Sequence, residues 1–546
     1  MASSSRKLRQ LSAAPTGKQF FRVHPVITLP IVSVAGRDER LSESESIIGV
    51  TRVTQDDTPG VLWILIAEDS SLDESWISLP YSVDPKGFAV PVAEKSDLLS
   101  ITLVGDAAKD VKAYTFGEWA AYGVISPSWK ILDSTLTSLH IGQGITSIGV
   151  YAFDGCTGIQ GNLVIPDSVT AIGQGAFGSW NAIGTLTLHE GLLTIGNNAF
   201  ELSDFRGALV IPDSVTFIGE EAFRDCTGFT SLTLGSGITE IEDAAFKCSS
   251  GFTGPLVIPA GVTNIKEEAF EECFGFTSLT LPEGLLTIGD ETFEDCTGFT
   301  GTLTLPESLT RIDEDAFNGC DGFTGSLVIP DNVTEIEDYA FQDCSGFNVT
   351  LTIGSGLTDP AKFGTEVFRG CFGFASVIIS SGVTEIPEGT FHTCTGLNSV
   401  TIPDSVTSIG GRAFWDCTAL TSVTIPDSVT SIGDDAFYSC GALTSVTIGD
   451  SVTSIGWGAF WGCTALTSVT IPSSVTTIDY GAFHSCTSLT TVNCRVTKTI
   501  LEFGGDVLLN SGVTAIHALA SDTTWTAGAG QTIAGKSGIT VTKDLT

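Results

Sequence analysis

The chain has 546 residues, 42% hydrophobic and only 16% charged, a balance that supplies enough apolar surface to fold and excludes intrinsic disorder. Its formal net charge is −38, from 63 acidic against 25 basic residues; that field repels nucleic acid and anionic membranes and leaves basic proteins, cations or plain solubility as its purpose. The densest apolar stretch, residues 61–67, falls far short of the ~20 residues that a transmembrane helix needs.

In chain order, residues 1–37 carry no Asp or Glu but hold Arg6, Lys7, Arg9, Lys18, Arg22 and Arg37 beside an early Ser-rich stretch. That composition resembles an organelle transit peptide. The apolar run 26–35, ending in small residues, resembles a secretory signal, and an unstructured tail is the plain alternative. Residues 20–94 hold short apolar runs without a repeat, so residues 1–97 read as a tail plus a small β-rich region. Leu98, Ile101 and Leu103 share their spacing with Leu136, Leu139 and Ile141, while residues 109–124 interrupt and Trp129 stands where later units have Phe. Residues 98–133 therefore read as a degenerate N-terminal cap on an array spanning 134–494.

Within the array a Phe recurs fifteen times from Phe153 to Phe483, at intervals of 23 or 24 residues except one of 27 between Phe341 and Phe368. A period of this size with aliphatic columns is the signature of leucine-rich repeats, and it overrides the several globular domains that length alone suggests. The cleanest unit starts at Leu443. Val446 and Ile448, two apart, share the inward face of a short strand, and Ser445 and Thr447 face solvent. A turn follows, opened in most units by Pro and an acid such as Pro426-Asp427. The SVTSIG segment supplies a second extended piece, and the DDAF or EEAF segment reads as a brief helical turn with acids at its N-terminal end.

No such unit buries its own aliphatic set, so each must cover the next, with strands at ~4.8 Å per coil and a body on the order of 70 Å long. The fold expected is a leucine-rich-repeat solenoid of about 15 coils of 23–24 residues, with a parallel β-sheet on one face and short turns or helical turns on the other. Units from 397 to 489 are nearly identical, whereas those before Phe368 vary. Leu489, Val492 and Cys494 make the last regular strand. Residues 495–510 break the period, 512–516 recover half a unit, and the terminal GITVTK segment suits an edge strand. Residues 495–546 thus read as the C-terminal cap that an open sheet end requires.

The combination of LTSVTIP, SVTSIG and AFxxC across residues 134–489, about two thirds of the chain, resembles the BspA-like (Treponema-type) leucine-rich repeats. The resemblance implies the solenoid fold. It also implies a surface or secreted protein used in adhesion and binding, as typical members are in bacteria and some protists.

Twelve of the 14 Cys fall three residues after the column Phe, and no CxxC cluster suited to a metal exists. Stacked coils place such Cys within disulfide distance. Trp180 and Ser203 replace the Cys in two coils, however, which a packing column tolerates and a pairing scheme does not, so buried free thiols are expected. Free thiols favour a reducing cytoplasmic or organellar compartment, against the surface location that the resemblance implies. The six His are scattered, with His392 and His484 directly after the column Phe at a rim position. No hydrolase, zincin or P-loop motif appears, and residues 1–97 hold one His, so neither an enzyme nor a cofactor is expected.

Two surface features remain. Between residues 220 and 343 there are 25 acidic residues against Arg224, Lys247, Lys266 and Arg311. Glu267, Glu268, Glu271 and Glu272, with Asp313, Glu314 and Asp315, lie beside the Phe column, where stacking gathers them on one rim. They suit a docking strip for a basic partner or weak Ca2+ binding, or else a solvated edge. The outward strand positions Ser399, Thr401, Ser422, Thr424, Ser445, Thr447, Ser468 and Thr470 form a hydroxyl ladder. It suits a glycan or ordered water, or reflects β-propensity alone. The function expected is non-catalytic recognition or adhesion by a monomer that holds a protein or glycan partner. A structural or ice-interacting rod is the alternative.

Overall fold

In the computed structural model, the described residues are the strands within residues 19–111 and residues 139–545, apart from 142–144, 158, 160, 182 and 498–501. The basic start of the chain and most of the expected N-terminal cap, including Trp129 and Leu136, lie outside the described residues. The protein is a parallel-strand solenoid of about 17 turns with almost no helix, two turns more than the Phe count suggests. It forms two compact units, Met1–Val262 and Thr263–Thr546.

The first unit opens with antiparallel strands. Gln19–Phe21 pairs with Leu29–Val32 and Arg52–Gln55, and Val61–Glu68 pairs with Glu74–Val83. Ile101–Val104 then runs parallel to Leu139–Ile141, with Ile101 opposite Leu139 and Leu103 opposite Ile141. Lys109–Val111 runs parallel to Ile145–Ile148. A coil therefore precedes the first column Phe, in the register that the shared Leu/Ile spacing predicts. Beyond it, Ala171–Ile172, Thr194–Ile195 and Phe217–Ile218 stack parallel, one coil apart.

The second unit repeats one cross-section. Ser376–Ile379, Ser399–Thr401, Ser422–Thr424 and Ser445–Thr447 pair in parallel along one sheet. Glu385–Ile386, Ser408–Ile409, Ser431–Ile432 and Ser454–Ile455 pair along a second. Period-two alternation sends Val423, Ile425 and Ile432 inward, where each is at most 3% exposed. The column Phe rings stack one on the next, with centroids 5.1 Å apart at Phe414–Phe437 and 5.2 Å at Phe437–Phe460. Burying each ring contributes about 2–3 kcal/mol.

A second aromatic column, not singled out from sequence, runs beside the first. Within this unit it comprises Phe276, Phe299, Phe323, Phe347 and Phe374, and Phe299 meets Phe293 edge-on at 6.0 Å. From Leu397 onward Leu takes these positions, equally buried. The recurring GFT triplet was its sequence signal.

The segment before the column Phe is a series of tight turns, where the sequence suggested a brief helical turn. Alternate amides donate across to the next coil, Asp435 N–H to the Trp457 carbonyl at 2.6 Å and Phe437 N–H to that of Ala459 at 2.7 Å, while those between close local turns, as Tyr438 N–H does to the Asp435 carbonyl at 3.0 Å, so no continuous helix forms. Asp435 and Ser439, two residues either side of Phe437, adopt φ near 55° and 58°. That left-handed conformation costs an L-residue about 1–2 kcal/mol, which Asp tolerates better than most. Among the described residues the one helix is the 3-10 turn Pro360–Lys362, with Asp359 accepting from the Ala361 amide. It lies in the 27-residue interval and absorbs the extra length.

At the C-terminal end Ala515–Leu519 runs parallel to Thr491–Cys494, and Lys536–Leu545 parallel to Ala515–Leu519. Gly528–Ile533 folds back antiparallel along the outside. Trp525 is buried there, its indole N–H donating to the Val496 carbonyl at 3.3 Å. The open sheet thus ends in a twisted hairpin in place of a bare parallel edge.

Candidate functional site

The strand face brings the predicted hydroxyl ladder together. Ser399 sits opposite Ser422, Ser422 opposite Ser445, and Thr424 opposite Thr447, while Ser468 and Thr470 open the next sheet against Thr491 and Asn493. Seven of the eight are exposed and Thr470 is half-buried. Among the described residues only Thr470 has a side-chain partner, accepting from Asn493 Nδ2 at 3.4 Å. The remaining hydroxyls are left to solvent or a ligand. Upstream the face changes character, because Ile378 is 45% and Val328 52% exposed in the Thr401 column.

A second threonine column, Thr407, Thr430, Thr453 and Thr476, behaves differently. Each hydroxyl donates to the carbonyl of the equivalent residue one coil back, at 3.0–3.2 Å. These side chains hold the backbone together, so their repetition is structural.

The acidic rim assembles across coils. Carboxylate oxygens of Glu268, Glu271 and Glu291 lie within 4.8 Å of one another, and so do those of Asp290, Asp313 and Glu337. Glu267, Glu272, Glu314 and Asp315 stay outside both trios. Asp290, Glu291 and Glu337 were missed from sequence, although Glu268 and Glu291 both stand two residues before a column Phe. The second trio already holds a cation: the Arg311 guanidinium bonds Asp313 and also Glu337, the latter at 2.5 Å.

Crowding and burial act on these acids. Partial burial, then Glu291 and Asp315, pushes Glu294 up to about 7. Burial outweighs the bond to Arg311 and lifts Asp313 to about 6. Burial with the neighbouring Glu314 lifts Asp315 to about 6. Protons or a divalent cation relieve this repulsion. A trio offers three carboxylates where Ca2+ takes about 6–8 oxygens, so water would complete the shell.

The Cys column is packing. Among the described residues the Cys form no disulfide, and all but Cys248 are buried. Cys394 Sγ donates to the Phe368 carbonyl at 3.1 Å and Cys440 Sγ to that of Phe414 at 3.2 Å. Burial pushes the Cys394 and Cys486 thiols up to about 12, which disfavours their thiolate form.

One surface feature escaped the sequence reading. The rim position after the column Phe, noted only for His392 and His484, carries Trp415, Tyr438 and Trp461 in the coils between. Trp415 stacks on Tyr438 at 4.3 Å, Tyr438 on Trp461 at 6.1 Å and Trp461 on His484 at 3.7 Å. Trp457 and Tyr480 extend this row sideways.

The sequence matches the BspA type Leucine rich repeat region in six overlapping copies that together run from residue 132 to 524. A leucine-rich repeat protein from Bacteroides ovatus is similar in structure, with 25% identity and a TM-score of 0.51 over 79% of this chain and 95% of that one. A leucine-rich cell surface protein from Faecalibacterium prausnitzii is 20% identical over 86% of this chain and 97% of that one, with a TM-score of 0.32. The pneumococcal vaccine antigen PcpA is 15% identical over 84% and 98%, with a TM-score of 0.36. No curated protein matches the chain. With a repeat model covering well over half of its length, and the coil built as that repeat requires, the chain belongs to the BspA-type leucine-rich-repeat family.

Proposed function

We propose that this protein is a non-catalytic recognition protein that holds a protein or glycan partner against its solenoid surface. The observation that carries the reading is the strand face, where Ser399, Ser422 and Ser445 line up in register beside Thr424 and Thr447, exposed and uncommitted. An uncharged row of hydroxyls repeating at ~4.8 Å offers donors and acceptors at a spacing matched to an extended chain, peptide or glycan. Membership of a repeat family typically used for surface and protein interaction supports the same reading. The acidic rim adds a preference for basic partners and a weak affinity for Ca2+.

The test is to present the full chain to a printed glycan array and to immobilised extracellular proteins. Saturable binding to a discrete subset is expected. The regularity of the same ladder favours one second reading, in which it orders water. Thermal hysteresis in freezing solutions, with no saturable partner, would replace the recognition reading by that one.

A further inference from the structure

The aromatic rim of the C-terminal coils lies in a stretch without basic residues of its own beyond Arg412. Between Arg412 and Arg495 the chain has six Asp and no Lys or Arg. Carboxylates touch the rings directly: the Trp415 indole N–H donates to Asp416 Oδ2 at 3.1 Å, and the Tyr480 hydroxyl to Asp506 Oδ2 at 3.1 Å. Trp457 and Tyr480 are the exposed members, at 39% and 38%. Their rings stack at 6.3 Å, and the other face of Trp457 lies towards the coil of Asp434, whose carboxylate accepts the Trp457 amide at 2.8 Å.

Beneath this row, Asp435 is only 5% exposed and its Oδ1 has no hydrogen-bond partner. The oxygen is aimed at Gly458, where a Cβ would come within 2.4 Å of it and 3.8 Å from Trp461 Cβ. Burial lifts Asp435 to about 6 against the pull of the Arg412 guanidinium, so a further positive charge beside it is favoured. The rim already holds one cation in the expected manner, with the Arg412 guanidinium carbon 5.8 Å from the centroid of the Trp415 ring.

We infer that the rim built from Trp457, Trp461 and Tyr480, with Asp434, Asp435 and Asp506 around it, is a docking surface for a lysine- or arginine-rich segment of a partner protein. The cationic side chains sit against ring faces within reach of the carboxylates. Aromatic rings supply affinity that a bare acidic edge lacks, since each cation–π contact is worth a few-fold to about thirtyfold in binding as water is excluded. Trp, Tyr and Arg are also the residues that dominate interface energetics, whereas the Ser/Thr strand face has none of them. The inference deepens the recognition reading by naming the chemistry of one partner class and a different face; it rests on that reading only in taking the solenoid surface as the binding element.

The probe is hexalysine, with its fully Nε-acetylated form and cellohexaose as comparators, titrated against the full chain at about physiological ionic strength, where plain surface charge is screened beyond ~8 Å. Hexalysine is expected to bind and the acetylated peptide to fail. W457A/Y480A should weaken binding at least tenfold, while E385Q/D404N, which neutralises two acids outside both the aromatic and the acidic rim, changes it less than twofold. Should W457A/Y480A not fold, hydrogen exchange on the unaltered protein serves instead, and hexalysine is expected to slow the amides of residues 454–484. Equal losses in the two variants, wild-type affinity in W457A/Y480A, absent protection at 454–484, or binding of cellohexaose in place of hexalysine would each overturn the inference. Cellohexaose binding would speak for the strand face, and the other outcomes do not bear on it, so the recognition reading stands or falls by its own test.

Discussion

Two stretches of the second unit share a cross-section and differ in what they write on it. In the coils around Phe293, Phe317 and Phe341 the rim residue after the Phe is Glu294, Asn318 or Gln342; around Phe414, Phe437 and Phe460 it is Trp415, Tyr438 or Trp461. Inside, the first group carries Phe299, Phe323 and Phe347 where the second carries Leu420, Leu443 and Leu466, all at most 1% exposed. The backbone ladder is the same in both: Phe317 N–H donates to the Ala340 carbonyl and Phe437 N–H to that of Ala459. The difference teaches that the coil keeps its cross-coil ladder with either Phe or Leu in one inward column, while rim and strand-face positions vary without touching the frame. A surface so decoupled from its core can change partner without refolding.

The largest effect tests that equivalence. Phe317→Ala and Phe437→Ala should each cost about 3–5 kcal/mol, because both remove a ring stacked on two neighbours in a filled interior. Denaturant unfolding checks this, and costs that differ by more than about half would break the claim that the two frames are alike.

A smaller effect separates the regions by pH. Glu294, held up to about 7 against an ordinary 4.5, keeps its proton in the folded chain where the unfolded chain has lost it. Stability therefore falls as pH rises from about 4.5 to 7 and levels off above that window. Allowing for solvent screening at a partly exposed side chain, the change is on the order of 1 kcal/mol. Glu294→Gln should flatten this part of the melting-temperature profile, and an unchanged slope in the variant would contradict the assignment. Asp313 and Asp315, each raised to about 6, add to the same direction.

Comparable in size but opposite in sign is a change at the boundary between the stretches. Thr393 is β-branched and left-handed, at φ 60°, in a column where other coils place Asp416, Ser439 or Gly462. Thr393→Gly should stabilise the chain by about 1 kcal/mol, read as a higher melting temperature. Destabilisation would mean that its hydroxyl, which donates to the His392 carbonyl at 2.7 Å, outweighs the backbone strain. The smallest effect is expected from Ca2+. About 1 mM should raise stability by roughly 0.4 kcal/mol, given the weak affinities of sparsely ligated sites, and E268Q/E291Q should abolish the gain.

How far the molecule was legible follows from how often each column is written. Phe, Ile and Cys recur in nearly every coil, so their inward positions, the parallel register and the packing role of the thiols could be read directly. The early coil at Ile101–Val104 was legible from spacing alone. The turn before the Phe was not: a pair such as Asp434-Asp435 suits a helix N-terminus as well as a left-handed turn, and only the cross-coil hydrogen bonds decide between them. The acidic trios were half legible, because Glu268 and Glu271 share a coil while Glu291 arrives from the next. The aromatic rim was hidden for another reason. His392, Trp415, Tyr438, Trp461 and His484 are different residue types in one column, so a search for repetition passes over what a search for shared position finds.

The central claim is that the frame and the recognition face are separable, and one pair of outward substitutions tests it most directly. In T424K/T470K two strand-face threonines two coils apart become lysines, and the melting temperature and the binding of a partner that W457A/Y480A still holds are measured together. The account predicts stability within about 1 kcal/mol of the parent, as for exposed strand positions, with partner binding lost. Unfolding, or binding that survives intact on a folded variant, would contradict it.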